Sequence, residues 1–111
     1  MTAFSYPSLE MDDGFFQSAL AGSVTATIRI GERPAIIAPG ALVFVSPTAR
    51  FLPMIVNVDL VIRTTWLGIN DYDAQLAGYM DGDNARSDMA IRYPEASPDT
   101  PFTVIRFSRP A

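Results

Sequence analysis

Residues 54–66 form the longest run of alternating apolar and polar side chains in the sequence. A period of two residues is typical of a β-strand, because successive side chains point to opposite faces. The run therefore predicts a long strand with one face against a core and requires a fold built on a sheet. The two predicted faces are Val56, Val58, Leu60 and Ile62 on one side, and Asn57, Asp59, Val61 and Arg63 on the other.

Shorter patterns on either side of this strand predict an α+β order of elements. Three further strands are predicted over residues 24–30, 41–45 and 102–107. Three helices are predicted from Asp12 or Asp13 to Gly22, from an Asn70 N-cap to Gly78, and over residues 83–92. Residues 1 to about 10 show no period and are predicted to be an irregular lead-in. Because loops join most of the strands, the order favours a small, mostly antiparallel β-barrel with short helices at its ends.

Composition favours one domain over residues 1–111, with its core at about residues 12–108. Apolar residues make up 49% of the chain, and cysteine and histidine are absent. The chain therefore has no thiolate or imidazole chemistry, and any metal would need oxygen ligands. A cluster of five aspartates lacks the EF-hand pattern, so we assign these side chains to helix caps and solvated faces. We therefore predict neither a metal nor a cofactor. The cluster consists of Asp71, Asp73, Asp81, Asp83 and Asp88.

All eight basic residues are arginine, and the formal net charge is −4. This balance disfavours a long nucleic-acid duplex, because binding to a phosphate backbone usually needs a surplus of cations. One or a few nucleotides in an arginine-lined pocket remain compatible with it. Neither a secretory signal nor an apolar run of membrane-spanning length is found, so we expect a cytoplasmic protein without membrane association.

Three local patterns occur in an order that resembles one family. The first, over residues 20–29, is similar to the signature G-x-K-x-x-T-x-R at Gly22, Thr27 and Arg29. The second is the acidic segment 70–74 followed by a Gly-aromatic step at 78–79, and the third is the Tyr93-Pro94 turn before residues 103–107. Together they resemble the ASCH family, a branch of the PUA-like β-barrels, over residues 12–108. The resemblance implies a barrel of five or six strands with a cleft beside the first strand. It also implies RNA binding or, in some small members, hydrolysis of acyl groups from nucleosides such as N4-acetylcytidine.

Two departures from the family pattern argue against catalysis. Val24 stands where the signature has lysine, and Ala77 lies near the position of a glutamate that acts with it. Thr27 matches the threonine nucleophile, so it is catalytic only if the chain is an enzyme. A threonine hydroxyl needs a nearby base, and Asp73 is one helical turn, about 6 Å, from Ala77. We therefore favour a binding domain.

Six residues are candidates for ligand binding. Arg29 can hold a phosphate or a base edge with its planar fork, although an ion pair at the barrel mouth would also explain it. Threonines are common in strands, and an aromatic side chain beside a strand often packs in the core. The candidates are Thr25, Thr27, Arg29, Trp66, Asp73 and Tyr79.

Three hypotheses follow from this reading. The first is a domain that binds RNA or a modified nucleoside in a cleft at Thr27 and Arg29. The second is an amidohydrolase for N4-acylcytidine-type nucleosides with a rewired site, in which Asp71 or Asp73 is the base and Arg29 replaces the lysine charge. The third is a protein-interaction or regulatory module that has lost the ligand. A cavity bordered by Thr27 and Arg29 favours the first two.

Overall fold

The computed structural model describes residues 6–110 and confirms an α+β fold. A curled five-stranded sheet forms a half-barrel, and short helices pack against it. No helix in this part of the chain is long and apolar enough to cross a membrane. The elements in chain order are β1 (Ser8–Glu10), α1 (Asp13–Leu20), β2 (Ala26–Ile30), β3 (Gly40–Val45), β4 (Met54–Thr65), α2 (Asp71–Leu76), α3 (Gly82–Arg92) and β5 (Pro101–Ser108).

The strand order across the sheet is β1-β3-β4-β5-β2, so β1 and β2 are its two edges. Three of the four pairings are antiparallel, as predicted, and β1 pairs with β3 in parallel. The prediction of an irregular lead-in is wrong for residues 8–10, while residues 1–5 lie outside the described range. Leu9 is buried, and Met11 N donates a 3.0 Å hydrogen bond to Val45 O. Three residues are too few to display a period of two.

Apolar side chains are buried on both faces of the sheet. On one face, Ile105 and Phe107 of β5 pack with residues of α1, β3 and β4, among them Phe16 and Phe44. On the other face, Phe102 and Val104 pack beneath α2 and α3. β5 lies between β4 and β2, so its side chains alternate between the two cores.

A β-bulge in β4 changes which side chains it buries. The register of β4 against β5 shifts between Val58 and Leu60, which leaves Asp59 as an extra residue. An extra residue moves the following side chains to the opposite face. Leu60, predicted to lie on the core face, is therefore 41% exposed, whereas Val61, predicted to lie on the polar face, packs against the core that contains Phe16.

The helix ends follow the predicted local signals. Gly22 follows α1 with a φ of +84°, a left-handed conformation that glycine adopts readily. Asn70 caps α2, because its side chain accepts a 2.8 Å hydrogen bond from Asp73 N. Asp81 caps α3 in the same manner, and α3 ends before Tyr93.

Candidate ligand-binding cleft

A cleft lies along the free edge of β2, the strand that the sequence predicts over residues 24–30. It is bordered by β2, by the junction of β1 with α1, by the turn between α2 and α3, and by the C-terminal end of α3. Its volume is about 80 Å³. A single water molecule needs roughly 10–15 Å³, so the cleft has room for more than isolated water.

Arg29 and Thr27 lie on the same face of β2 and both line the cleft. Arg29 Nε donates a 3.0 Å hydrogen bond to Thr27 Oγ1. The four ion pairs between residues 6 and 110 involve other arginines, so no described carboxylate lies within 4.0 Å of Arg29. Burial lowers the pKa of Arg29, and the positive charge of Arg33 lowers it further. The carboxylate of Asp12, which also lines the cleft, opposes this shift, but its ion pair is with Arg92. The cleft thus contains a partly desolvated cation that forms no ion pair of its own with a described residue.

Hydrogen bonds at the two ends of β2 indicate which way its backbone groups point. Thr25 O accepts a 3.0 Å hydrogen bond from Phe107 N, and Gly31 N donates a 2.8 Å bond to Pro101 O. Backbone groups alternate in direction along a strand, so the odd-numbered residues of β2 pair with β5. The N–H and C=O groups of Ala26 and Ile28 therefore point away from β5, and both residues line the cleft.

A hydrogen-bonded network forms the wall opposite β2. Tyr79 donates its hydroxyl proton to Asp88 Oδ2 over 2.5 Å, and Arg92 Nε donates to the same oxygen over 2.9 Å. Arg92 Nη1 lies 2.9 Å from Asp12 Oδ2, which joins the C-terminal end of α3 to the residue before α1. Burial and the bond to Asp88 raise the pKa of Tyr79, so this hydroxyl remains a protonated donor. The network positions the wall, and its two carboxylates outnumber its single arginine, so the wall carries a net negative charge.

Small and apolar side chains form the floor. Val24 and Ala77, the positions where the resemblance expects lysine and glutamate, both line the cleft and are buried. A Cβ atom on Gly78 would lie only 3.1 Å from Val24 Cγ2 and 3.3 Å from a ring carbon of Phe15. The floor is therefore closely packed, and it presents no charge to the cleft.

Three of the six predicted ligand-binding residues meet in the cleft: Thr27, Arg29 and Tyr79. Thr25 does not line it, and its backbone instead connects β2 to α2 through a 2.9 Å bond to Leu76 O. Trp66 packs beside the core below α2 and α3, where its Nε1 donates to Arg86 O over 3.0 Å.

Asp73 is also placed outside the cleft. Its Oδ1 accepts from Arg106 Nε at 2.9 Å and lies 2.7 Å from Arg106 Nη2, and its side chain is almost completely buried. Arg106 projects from β5 to the face that α2 covers, which fixes Asp73 there. Asp71 accepts from Gly82 N at 2.8 Å, so neither aspartate of the rewired hydrolase hypothesis borders the cleft.

Sequence reasoning missed several lining residues, among them Asp12, Phe15, Arg92 and Tyr93. Arg92 and Tyr93 belong to the Tyr-Pro turn used for the family resemblance. The motif therefore drew attention to these two residues, but it did not predict that they line a cleft. Asp12 and Phe15 are brought to the cleft by the parallel β1, which the sequence pattern did not reveal. Phe15 and Tyr79 lie with ring centroids 5.6 Å apart, and Arg92 Cζ is 6.0 Å from the Phe15 ring centre.

The cleft combines donors, aromatic surfaces and edge backbone groups. Thr27 Oγ1 accepts from Arg29, which leaves its own proton free for a ligand or solvent. Of the carboxylates bordering the cleft, Asp12 is paired with Arg92, and Glu10 is exposed at the edge. This arrangement suits recognition of a planar polar ligand.

No family model matches the sequence, and no curated protein matches it. Among solved structures, the chain is similar to a crystal structure of protein EF3133 from Enterococcus faecalis V583, described with the family model DUF984. The TM-score is 0.71 at 14% sequence identity, and the match covers 99% of this chain and 79% of the other. At this identity the likeness shows the fold, which is the same small barrel-like α+β arrangement.

Proposed function

We propose that this chain is an ASCH-like domain that binds single-stranded RNA or a nucleoside in the cleft beside β2, without catalysis. One observation carries the proposal: Arg29, partly buried in the cleft, bonds to Thr27 and has no described carboxylate partner. A buried cation is stabilised only by acceptors that replace its lost hydration. Thr27 supplies one acceptor, and a ligand bound in the cleft supplies the others.

A nucleobase fits the chemistry of this cleft. The guanidinium fork donates two parallel hydrogen bonds to a base edge or a phosphate. Phe15, Tyr79 and Tyr93 line the cleft, and we expect a base to stack on one of these rings, a contact that contributes about 1–3 kcal/mol.

The charge of the chain favours a short ligand over a duplex. The net charge is −4, and in the cleft wall the single charge of Arg92 is outweighed by the carboxylates of Asp12 and Asp88. Only Arg29 is left to attract an anion there. Binding therefore depends on contacts with a single base or nucleotide rather than on a cationic surface, and its salt dependence is weak.

The cleft floor supports binding without hydrolysis. Val24 and Ala77 contribute no cation or carboxylate beside Thr27, so the threonine hydroxyl has no base from these positions. The hydrolase alternative predicts conversion of N4-acylated cytidines. We expect unchanged substrate after prolonged incubation at high protein concentration, checked by chromatography; multiple turnovers would replace the binding proposal with the hydrolase.

The proposal is tested by calorimetric titration with the four nucleosides, N4-acetylcytidine and a short single-stranded RNA. At least one should bind, and Arg29→Leu should weaken that binding by tenfold or more, since a hydrogen bond from a charged group contributes about 1.5–3 kcal/mol. Thr27→Val should weaken it less. Arg63→Leu is the control, because it removes the same charge from an exposed position of β4 outside the cleft.

Each variant is first compared with the parent chain in urea unfolding. If Arg29→Leu does not fold, Thr27→Val and competition between nucleosides and RNA still test the site. Absence of binding to the whole panel, or equal losses from Arg29→Leu and Arg63→Leu, would contradict the proposal.

A further inference from the structure

A second concave surface shares no residue with the cleft. It lies where the loop before β4 meets the end of α1 and the segment after β5, and its volume is about 520 Å³. We call it the apolar depression and define it by Leu20, Leu52, Ile55, Arg50 and Arg109. The depression plays no part in the proposed cleft function.

The depression exposes large apolar side chains that the fold leaves uncovered. Leu52 is 87% exposed, Ile55 is 50% exposed and Leu20 is 39% exposed. Single exposed apolar residues are normal on a protein surface, but three around one concavity, with Pro53 and Pro110 beside them, form a contiguous patch. Contiguous patches of this kind mark interaction sites.

The surroundings of Leu52 are held in place by the core. Phe51 stacks on the buried Phe16 with ring centroids 5.2 Å apart and an interplanar angle of 6°. Arg109 Nη1 donates to Leu20 O over 3.3 Å, which ties the segment after β5 to the end of α1. A surface that is already ordered loses little conformational entropy when a partner binds.

Two arginines line the depression, and neither forms an ion pair with a described residue. Arg50 Cζ lies 5.6 Å from the Phe51 ring centre, and Arg109 bonds to a backbone carbonyl. Neither belongs to an ion pair between described residues, although the chain as a whole is acidic. Two cations that line the same depression as exposed leucine and isoleucine complement apolar side chains flanked by carboxylates.

We propose that the apolar depression docks an acidic amphipathic peptide segment of a partner protein. Apolar side chains of that segment cover Leu52 and Ile55, and its carboxylates reach Arg50 and Arg109. The charge of the two arginines selects an acidic segment over a basic one, while the leucine and isoleucine supply the contact area.

The test uses the full chain and a fluorescent synthetic peptide carrying two leucines flanked by glutamates. A matched peptide carries lysine in place of each glutamate. We expect the acidic peptide to bind at least tenfold more tightly than the basic one. The double variant Arg50→Glu with Arg109→Glu should reverse this preference. Leu52→Ser should weaken binding of the acidic peptide about tenfold, and Arg63→Glu, a charge reversal elsewhere on the surface, should leave it unchanged.

The outcomes distinguish other occupants. Equal affinity for both peptides, or no binding of either, overturns the proposal. Concentration-dependent self-association in sedimentation that Leu52→Ser abolishes would assign the depression to a second copy of this chain. Loss of RNA binding in the double arginine variant, with the peptides inert, would assign it to nucleic acid. Nucleoside binding by Leu52→Ser is measured in parallel, so failure here is separate from failure of the cleft proposal.

Discussion

Two arginines of the same chain illustrate different uses of a guanidinium. Arg106 donates to the buried carboxylate of Asp73, and its charge is matched within the fold. Arg29 has a hydroxyl oxygen as its described acceptor and faces open space. The first arrangement needs nothing from outside the molecule. The second leaves donors that a ligand can occupy, which is why we base the proposed function on Arg29 and not on Asp73.

We predict that Asp73→Ala lowers the free energy of unfolding by about 3 kcal/mol, because removal of one partner leaves Arg106 unpaired beside a buried site. The partial exposure of Arg106 keeps the loss at the lower end of the range for buried pairs. Urea denaturation measures it. The control is Asp83→Ala: Asp83 is 90% exposed, so its pair with Arg86 should contribute less than about 1 kcal/mol. Equal effects of the two substitutions would refute the structural role of Asp73.

The carboxylate of Asp13 provides a prediction about pH. Hydrogen bonds from Ser46 and Thr48 lower its pKa below the ordinary value of 3.8. A depressed native pKa stabilises the fold above the unfolded pKa, and that contribution is lost as the pH falls through the native pKa. The stability difference between the parent chain and Asp13→Asn should therefore be constant from pH 7 to about pH 5 and shrink below about pH 4. A difference that grows on acidification would be inconsistent with this assignment.

Among the secondary-structure elements, β4 is the one whose observed burial differs most clearly from the burial that its sequence pattern predicts. Strict alternation places Leu60 inside and Val61 outside, whereas the bulge at Asp59 produces the reverse. The extra residue has no local signature, because it depends on the register against β5. Alternation correctly predicted the existence and length of the strand to within one residue, and it failed only beyond the bulge.

The bulge predicts that substitutions at two neighbouring positions change the free energy of unfolding by different amounts. Leu60→Asn should change the free energy of unfolding by less than about 0.5 kcal/mol, as is usual for surface positions. Val61→Asn should lower it by about 1–2 kcal/mol, because it places an amide against a partly buried apolar cluster. Chemical denaturation of the two variants measures both changes. A larger loss from Leu60→Asn would restore the regular alternation and exclude the bulge.

At the scale of the whole molecule, the sheet stops short of a closed barrel and the cleft lies along one of its edges. Local signals such as Asn70, Gly22 and the Tyr93-Pro94 step correctly placed the helices. The pairing of β1 and the position of Arg106 depend on contacts between distant segments, so neither was predictable from spacing. Because such contacts cannot be predicted from spacing, Asp73 was predicted to bind the ligand although it pairs with Arg106, and Asp12 was not predicted although it lines the cleft.

We expect a nucleoside or single-stranded RNA to bind along the free edge of β2. The most direct measurement is an amide chemical-shift titration of the isotope-labelled full chain with cytidine, N4-acetylcytidine and a short single-stranded RNA. At least one ligand should shift the amides of Ala26, Thr27, Ile28 and Arg29, four consecutive residues that line the cleft. Saturating ligand that leaves these four amides unmoved, or that shifts only the region of Leu52 and Arg109, would rule out binding along β2.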